Sequence, residues 1–398
     1  MFQTYLLCEV VYYLYSKHVT YKQLENIHYS ENRALIPYKS SFDIYKYLLR
    51  YFTNESDLNV FFTEVFLDNQ SITINSIKKL LSYHIFNIDP NTNKGIRLWQ
   101  SIYINSIIKI IKPRVGILNN INTITNTNKK SESESSLFLT NKLDIIHKPL
   151  AFYTIMYFIR RAFNFYMYTL GFTNIIDPST QLRVWIKYNS CADNKVPVVL
   201  FHGLGFGIMP YIGKIRQLST SRTLILPEYP NISHDLYKFP PPSNDTIVSS
   251  LYNTLIKWGI NLVDTIGHSY GALIMNIFQI RYPHMCNHKT YAEPMCFNIH
   301  LGKCANTIYK FPSSLKYNII TYILWSFVFR DMSVQYIGKR DIFVEHTMAE
   351  NFDNKTHIIL AKRDYTIPSL HIHKYITTHH PDVNVTLTDG NHGTWLST

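Results

Sequence analysis

The pattern of apolar and polar positions divides the 398-residue chain into two parts near residue 181. Beyond that point, short apolar runs alternate with longer stretches in which apolar residues recur every three or four positions. Short runs bounded by Gly, Pro or Asn are typical of buried strands, and the longer stretches are typical of amphipathic helices. Alternating strands and helices need crossover connections, which favour a mostly parallel central sheet flanked by helices.

Seven runs are predicted to be strands, and three stretches between them to be helices. The strands are RVWIKY, PVVLFHG, RTLILPEYP, NLVDTIGHS, KTYAEP, THIILAKRD and NVTLTDGNH. The helices are MPYIGKIRQLST, DTIVSSLYNTLIKWG and SYGALIMNIFQIRY. Because ligands of such sheets bind at the carboxyl ends of the strands, we expect chemically active residues directly after the apolar runs.

The remaining part of the chain is predicted to be helical with one loop. Residues 1–118 form a helical N-terminal region, with helix-like spacing in SFDIYKYLLRYF and SITINSIKKLLSYHIF. Residues 119–136, NNINTITNTNKKSESESS, are polar and low in complexity, which predicts a disordered loop. Residues 137–180 are predicted to be an amphipathic helical connector, and residues 181–398 to be the domain that carries the sheet.

Two apolar segments raise the question of membrane contact. The N-terminal MFQTYLLCEVVYYLYSKHVTY contains Glu9 and lacks a basic leader and a small-residue cleavage site, so it is either a core helix or a helix lying on a membrane. Residues 149–172 are long enough to span a bilayer, but Arg160 and Arg161 lie in the middle. Each arginine there costs about 2.5–3.5 kcal/mol. We therefore expect an amphipathic helix packed on protein or lying at an interface.

Composition and charge narrow the function only slightly. The 39 Lys and Arg residues exceed the 27 Asp and Glu residues, giving +12, but the basic residues are scattered along the chain. A scattered excess indicates a generally basic surface, and no nucleic-acid partner is expected. The five cysteines form no C-x-x-C pair, so reduced thiols and no metal site are expected. The absence of paired cysteines and of a leader sequence favours a cytoplasmic or cytosol-facing, membrane-associated location.

The stretch LVDTIGHSYGALIM places two glycines around one serine in a chain that has only 14 glycines. Ser269 falls between a predicted strand and a predicted helix, flanked by His268 and by Gly267 and Gly271. In a sharp strand-to-helix turn the serine is held at a positive φ, and side chains two residues before and after it would collide. Such a turn lifts the hydroxyl above the sheet and presents it as a nucleophile.

A second glycine-rich turn follows the strand PVVLF. The residues HGLG, from His202 through Gly203 and Leu204 to Gly205, lie where a loop can supply a backbone N–H. We expect the N–H groups of Leu204 and Tyr270 to form an oxyanion hole. His202 is expected to support the loop through hydrogen bonds.

The remaining candidates are an acid and a base at the ends of the last two strands. Asp364 follows IILAKR, and His392 follows VTLTDGN. The chain order Ser269, Asp364, His392 is the one expected for this type of turn. Glu293, after the strand KTYA, is an alternative acid, and Asp389 is a weaker one because it lies so close to His392 in sequence.

With these motifs, residues 181–398 resemble the α/β-hydrolase family of serine hydrolases, including its lipases and esterases. The arrangement of the whole chain also looks like that of membrane-associated hydrolases of fungi and other lower eukaryotes. The resemblance implies a cap insertion at about residues 297–345, where an aromatic stretch contains Tyr322 and Phe327. It also implies a final helix, but only six residues follow His392. Either the N-terminal region covers that face of the sheet, or the histidine loop is looser than usual.

The resemblance implies a serine hydrolase that cleaves a carboxylic ester through a catalytic triad and an acyl-enzyme. No metal or organic cofactor is needed for that chemistry. The apolar cap suggests a hydrophobic acyl or lipid substrate and peripheral membrane contact. Two alternatives stay open: an amide or peptide hydrolase such as a proline-type aminopeptidase, and a catalytically inactive, membrane-associated scaffold.

Overall fold

A computed structural model describes ten ranges or single positions of the chain, and the element bounds below refer to these. The described residues are 2–26, 73–86, 96–114, 142–189, 195–234, 240–297, 322, 325–347, 349 and 352–397. The α-helices are α1 (Phe2–Tyr15), α2 (Tyr21–Asn26), α3 (Ile74–Phe86), α4 (Leu98–Ile111), α5 (Leu150–Thr169), α6 (Ile212–Ser219), α7 (Asn244–Lys257), α8 (Tyr270–Arg281), α9 (Met332–Arg340) and α10 (Ser369–His379). The strands are β1 (Thr173–Ile176), β2 (Arg183–Lys187), β3 (Val198–Phe201), β4 (Leu224–Glu228), β5 (Val263–His268), β6 (Cys286–Ala292), β7 (Thr356–Ala361) and β8 (Asn384–Thr388).

The strands form one sheet in the order β1-β2-β4-β3-β5-β6-β7-β8. From β4 to β8 every neighbouring pair is parallel, whereas β2 is antiparallel to both β1 and β4. All seven predicted strands and all three predicted helices of this part are confirmed. The chain has the α/β-hydrolase fold, as the resemblance implied.

One strand was not predicted. β1 is four residues long, lies at the sheet edge and is mostly exposed, so its sequence TNII lacks the apolar alternation of a half-buried strand. It pairs antiparallel with β2, from Thr173 opposite Ile186 to Ile176 opposite Arg183. The sheet therefore begins at residue 173, inside the segment predicted to be a helical connector.

Helices cover both faces of the sheet. On one face α7 and α8 pack with the apolar residues of α3 and α4 in the larger hydrophobic cluster. On the other face α6 packs with the end of α5, where Met167 is fully buried, and with Trp395 near the C-terminus. Ten successive residues of α8, Tyr270 to Gln279, are buried, so this helix is the centre of the core.

All elements in the described part of residues 1–118 are helical. α3 begins at Ile74, and the Oγ1 atom of Thr73 caps it by accepting a hydrogen bond from the N–H of Ser76 at 3.0 Å. The predicted helix SFDIYKYLLRYF and the predicted loop 119–136 lie outside the described residues. No helix in the described ranges has the length and apolarity needed to cross a bilayer.

α5 confirms the predicted helix at residues 149–172 and shows where its arginines go. Arg160 is 5 % exposed and faces the sheet, with Nη1 3.4 Å from Oε1 of Glu228. Arg183 of β2 contacts the other oxygen of Glu228 at 3.2 Å. Trp185 Nε1 donates to that same Oε2 atom, also at 3.2 Å. One face of α5 is therefore packed on protein through a buried ionic cluster at the end of β4.

Candidate active site

Ser269 occupies the turn between β5 and α8 and has a φ of 54°. A Cβ atom on Gly271 would lie 2.1 Å from the carbonyl oxygen of Phe201, and one on Gly267 would lie 2.7 Å from Cα of Ala272. Neither position can hold a side chain. At Gly271 it would collide with the end of β3, and at Gly267 it would collide with the first turn of α8. The need for both glycines around Ser269 is explained by these two contacts.

The structure brings Ser269, His392 and Asp364 together. Nε2 of His392 lies 2.9 Å from Oγ of Ser269, and its Nδ1 lies 2.8 Å from Oδ2 of Asp364. The other carboxylate oxygen of Asp364 accepts hydrogen bonds from the N–H groups of Thr366 and Ile367, at 2.7 and 3.0 Å. These bonds hold the carboxylate so that one oxygen faces the imidazole.

The surroundings of His392 set its protonation. Burial lowers its pKa, but the hydrogen bond and charge of Asp364, together with the charge of Glu293, outweigh burial and leave the pKa above its ordinary value of 6.5. A raised pKa makes the imidazole a stronger base when it is neutral. The arrangement can therefore accept the proton of the Ser269 hydroxyl as that oxygen attacks an electrophile.

The HGLG loop lies directly against the serine. A Cβ atom on Gly203 would be 3.1 Å from Cβ of Ser269. The N–H of Gly203 donates to the hydroxyl of Tyr211 at 2.6 Å, and the N–H of Gly205 donates to the carbonyl of Ile232 at 3.3 Å. Among the described residues the N–H of Leu204, between them, has no acceptor. Tyr270, the other predicted donor, begins α8.

His202 supports this loop in the way the sequence predicted. Its Nε2 accepts a hydrogen bond from the N–H of Tyr229 at 3.2 Å, and its Nδ1 lies 2.8 Å from the carbonyl oxygen of Gly203. Burial lowers the pKa of His202 to about 4, so the ring is neutral and Nδ1 carries the proton. Its ring also stacks on Tyr229 at 4.3 Å, which fixes the end of β3 beside the end of β4.

Glu293, the alternative acid, has a different set of contacts. Its carboxylate accepts hydrogen bonds from the N–H groups of Gly393 and Trp395 and lies 3.0 Å from Nε2 of His268. It therefore anchors the loop that carries His392 instead of contacting the imidazole Nδ1. Asp389, the weaker alternative, is exposed and pairs with Lys362 at 2.8 Å.

Sequence reasoning missed a buried hydrogen-bonded relay next to the candidate triad. Because the N–H of Gly203 can only donate, the hydroxyl of Tyr211 accepts it and donates its own proton to Nδ1 of His268, 2.6 Å away. The Nε2–H of His268 then donates to Glu293. Burial lowers the pKa of His268 and so keeps the ring neutral. A neutral ring is what this series of hydrogen bonds requires. The relay joins the HGLG loop to the histidine loop. In the sequence, its one indication is the position of His268 directly before Ser269.

His268, Glu293 and His392 lie close enough for three of their side-chain atoms to surround one cation. Each imidazole nitrogen already has a hydrogen-bonding partner, namely Tyr211, Glu293, Ser269 or Asp364. The cluster is therefore held by hydrogen bonds, and each imidazole nitrogen that could bind a metal already has a hydrogen-bonding partner.

The residues that follow His392 pack against the sheet. A four-residue helical turn, Thr394–Ser397, places Trp395 parallel to the ring of His268, with centroids 5.6 Å apart. Trp395 shares its hydrophobic cluster with Met167 of α5 and with α6. The helix of the predicted connector, residues 137–180, therefore helps to cover this face of the sheet.

Part of the segment predicted to be a cap insertion lies beside the HGLG loop. Trp325–Phe329 form a short π-helix, and a Cβ atom on Gly205 would be 3.4 Å from the Val328 side chain. Val328 and Trp325 are buried, whereas Phe327 and Tyr322 are exposed. Residues 298–321 of the predicted insertion lie outside the described residues.

Comparison with curated proteins finds partial relatives. The chain is 26 % identical over 108 residues to an abhydrolase domain-containing protein, abhd-5.2, of Caenorhabditis elegans, covering 26 % of this chain and 24 % of the relative. It is 29 % identical over 122 residues to a (lyso)-N-acylphosphatidylethanolamine lipase of Bos taurus, covering 29 % and 36 %. A 1-acylglycerol-3-phosphate O-acyltransferase of Sus scrofa is 27 % identical over 127 residues, covering 29 % and 34 %.

The matched segment thus spans about a quarter to a third of the length of these curated relatives. No protein-family model matches the chain. Among solved structures, a thermophilic esterase from Thermogutta terrifontis overlaps 56 % of this chain and 91 % of its own, with 12 % identity and a TM-score of 0.42.

Proposed function

We propose that the protein is a serine hydrolase that cleaves carboxylic esters of hydrophobic acyl or lipid substrates. The observation that carries this proposal is the continuous hydrogen-bonded chain from Ser269 Oγ through His392 to Asp364, at 2.9 and 2.8 Å. Both distances are within the range for a working nucleophile–base–acid set.

In the proposed mechanism His392 takes the proton of Ser269 as Oγ attacks the carbonyl carbon of the ester. Asp364 keeps Nδ1 protonated and stabilises the imidazolium that forms. The N–H groups of Leu204 and Tyr270 stabilise the oxyanion of the tetrahedral intermediate. His392 then gives the proton to the leaving alcohol, and a water molecule activated by the same imidazole hydrolyses the acyl-enzyme.

A hydrophobic acyl substrate is supported by two observations. Val328 and the exposed ring of Phe327 belong to the apolar segment that lies beside the HGLG loop. One curated relative is named as a lipase of an N-acylated phospholipid. An acyl chain gains free energy by leaving water for such an apolar surface, whereas a charged metabolite does not.

Acyl transfer is a second candidate, because another relative is named as an acyltransferase that uses 1-acylglycerol-3-phosphate. The two activities share the acyl-enzyme and differ only in whether water or an acceptor hydroxyl attacks it. Amide hydrolysis uses the same groups and stays an alternative.

The test combines covalent labelling with turnover. A fluorophosphonate probe should label the full chain and fail to label Ser269→Ala, with Ser249→Ala as the matched control on α7. Absence of labelling in the unmutated protein would support the inactive scaffold instead. Turnover of p-nitrophenyl esters of increasing chain length, of aminoacyl amides, and of an ester with added 1-acylglycerol-3-phosphate then separates the ester, amide and transfer activities.

A further inference from the structure

α1 exposes apolar side chains around almost its whole circumference. Eight of its large apolar residues are at least 40 % exposed: Tyr5, Leu6, Leu7, Val10, Val11, Tyr13, Leu14 and Tyr15. Its one charged residue is Glu9, whose carboxylate accepts hydrogen bonds from the N–H groups of Leu150 and Ala151, at 2.8 and 2.9 Å. Glu9 therefore caps the start of α5. A helix that is apolar all round normally lies in a protein core or in lipid.

α5 has large apolar residues on its outward face and two polar residues in its buried stripe. Its buried stripe, spaced three or four residues apart, includes Arg160 and Asn164. On a helical wheel the opposite side carries Ile155, Phe158 and Phe165, which are 59 %, 65 % and 70 % exposed. A surface helix of a globular protein places its polar residues outward, so the outward face of α5 is matched to an apolar medium.

The two helices pack against each other, and a groove joins their exposed faces. The rings of Tyr12 and Tyr153 meet edge-to-face at 6.1 Å. A groove of about 570 Å³ runs between the helices and is lined by Tyr5, Cys8, Leu150 and Ile155 among others. We call the outward residues of α1 and α5, with this groove, the α1–α5 surface.

One flank of the α1–α5 surface is basic. A cavity of about 440 Å³ is lined by Arg160, Arg161 and Arg183 together with the ring of Tyr157. Glu228 pairs with two of these arginines, Arg160 and Arg183. Arg161 is exposed and stands over the Tyr157 ring at 4.9 Å. Apolar residues on the outward face with arginine and tyrosine along the flank are the pattern of a helix at a lipid–water boundary.

The surface also reaches the candidate active site. Phe152 of α5 packs against Phe327 at 5.3 Å, and Phe327 belongs to the π-helix whose Val328 covers Gly205. An apolar path therefore leads from α5 to the HGLG loop beside Ser269.

We propose that the α1–α5 surface docks the protein on an anionic lipid membrane. Ile155, Phe158 and Phe165 enter the boundary of the acyl chains, and Arg161 lies beside the phosphates of the headgroups. Charge complementarity favours lipid over a second copy of the chain. An isologous dimer through this surface would place Arg161 of both copies at the interface and supply no carboxylate from α1 or α5, since Glu9 is already used as the cap of α5.

The test is sedimentation of the full chain with vesicles, in the Ser269→Ala background so that hydrolysis cannot alter the lipid. Vesicles of phosphatidylcholine mixed with phosphatidylserine should bind the protein more strongly than phosphatidylcholine alone. Phe158→Glu combined with Phe165→Glu should lower the partition coefficient at least about tenfold on both vesicles. Arg161→Glu should lower it about fivefold or more on the mixed vesicles only.

Two matched controls use other exposed positions. Ile256→Glu on α7, at an isoleucine that is 43 % exposed, and Lys374→Glu on α10 should leave partitioning within about twofold. Thermal unfolding identifies any variant that does not fold, and Phe158→Ala with Phe165→Ala then replaces the glutamate pair.

Equal binding by all variants, or no binding by the unmutated surface, overturns the proposal. A dimer by mass measurement that Phe158→Glu dissociates would assign the surface to a second copy. Because the readout is vesicle binding, its failure would leave the proposed hydrolysis untouched.

Discussion

α8 and α5 are both rich in apolar residues, yet they lie in the molecule in opposite ways. α8 is buried at ten successive positions because β3, β5, β6 and α7 surround it. α5 turns arginine and asparagine toward the protein and isoleucine and phenylalanine away from it. The spacing of apolar residues predicts that each segment is a helix, but the neighbouring elements decide which face is covered. The apolar residues of α8 stabilise the fold, whereas the outward apolar residues of α5 are exposed.

The sharpest expected difference concerns the two acids near α8. Asp364→Asn should lower kcat about 10⁴-fold, because the amide no longer holds the imidazole in the required tautomer. Glu293→Gln should lower it far less, by about tenfold, since Glu293 contacts backbone N–H groups of the histidine loop. Ester turnover by the two variants measures this ratio, and equal losses would contradict the assignment of the acid.

A matched pair of isoleucines tests the two helices directly. Ile274→Ala in α8 removes a side chain that is 1 % exposed and should lower the free energy of unfolding by about 2–5 kcal/mol. Ile155→Ala in α5 removes one that is 59 % exposed and should cost less than about 1 kcal/mol. Urea unfolding followed by circular dichroism measures both. A large loss for Ile155→Ala would mean that protein already covers the outward face of α5.

The relay beside the triad should have a smaller effect on activity. Tyr211→Phe removes the hydroxyl between Gly203 and His268, so the HGLG loop loses one of its fixed points. We expect kcat to fall about tenfold with little change in KM, because the loop positions donors for the transition state. A change in KM alone would instead indicate that Tyr211 only shapes the binding surface.

The smallest expected effect is a shift of the pH profile. His392 must be neutral to act as a base, and its pKa is raised, so kcat/KM should fall as the pH drops through a midpoint above 6.5. Removing the charge of Glu293 in Glu293→Gln takes away part of that stabilisation of the imidazolium. The midpoint should therefore move to lower pH, and a shift to higher pH would contradict the electrostatic role.

Much of the sheet and the spacing of the candidate triad could be predicted from sequence. Buried parallel strands are continuous apolar runs, and Ser269, Asp364 and His392 follow three of them. β1 escaped prediction because a short edge strand carries no periodic signal. The contacts of Glu293 also escaped it, because Glu293 bonds to Gly393 and Trp395, about a hundred positions away in sequence. The burial of Arg160 could not be predicted either, because helical spacing does not show that Glu228 faces this position.

Glu228 makes two parts of the molecule depend on each other. Its carboxylate pairs with Arg160 of α5, and Oε1 lies 2.9 Å from where a Cβ atom of Gly207, just past the HGLG loop, would be. Loss of Arg160 alone would leave the buried carboxylate of Glu228 with Arg183 and Trp185 but with one counter-charge fewer, which is costly. In related sequences, the residues at positions 160, 183 and 228 should therefore be substituted together or not at all. The residues on the outward face of α5 should vary independently of them.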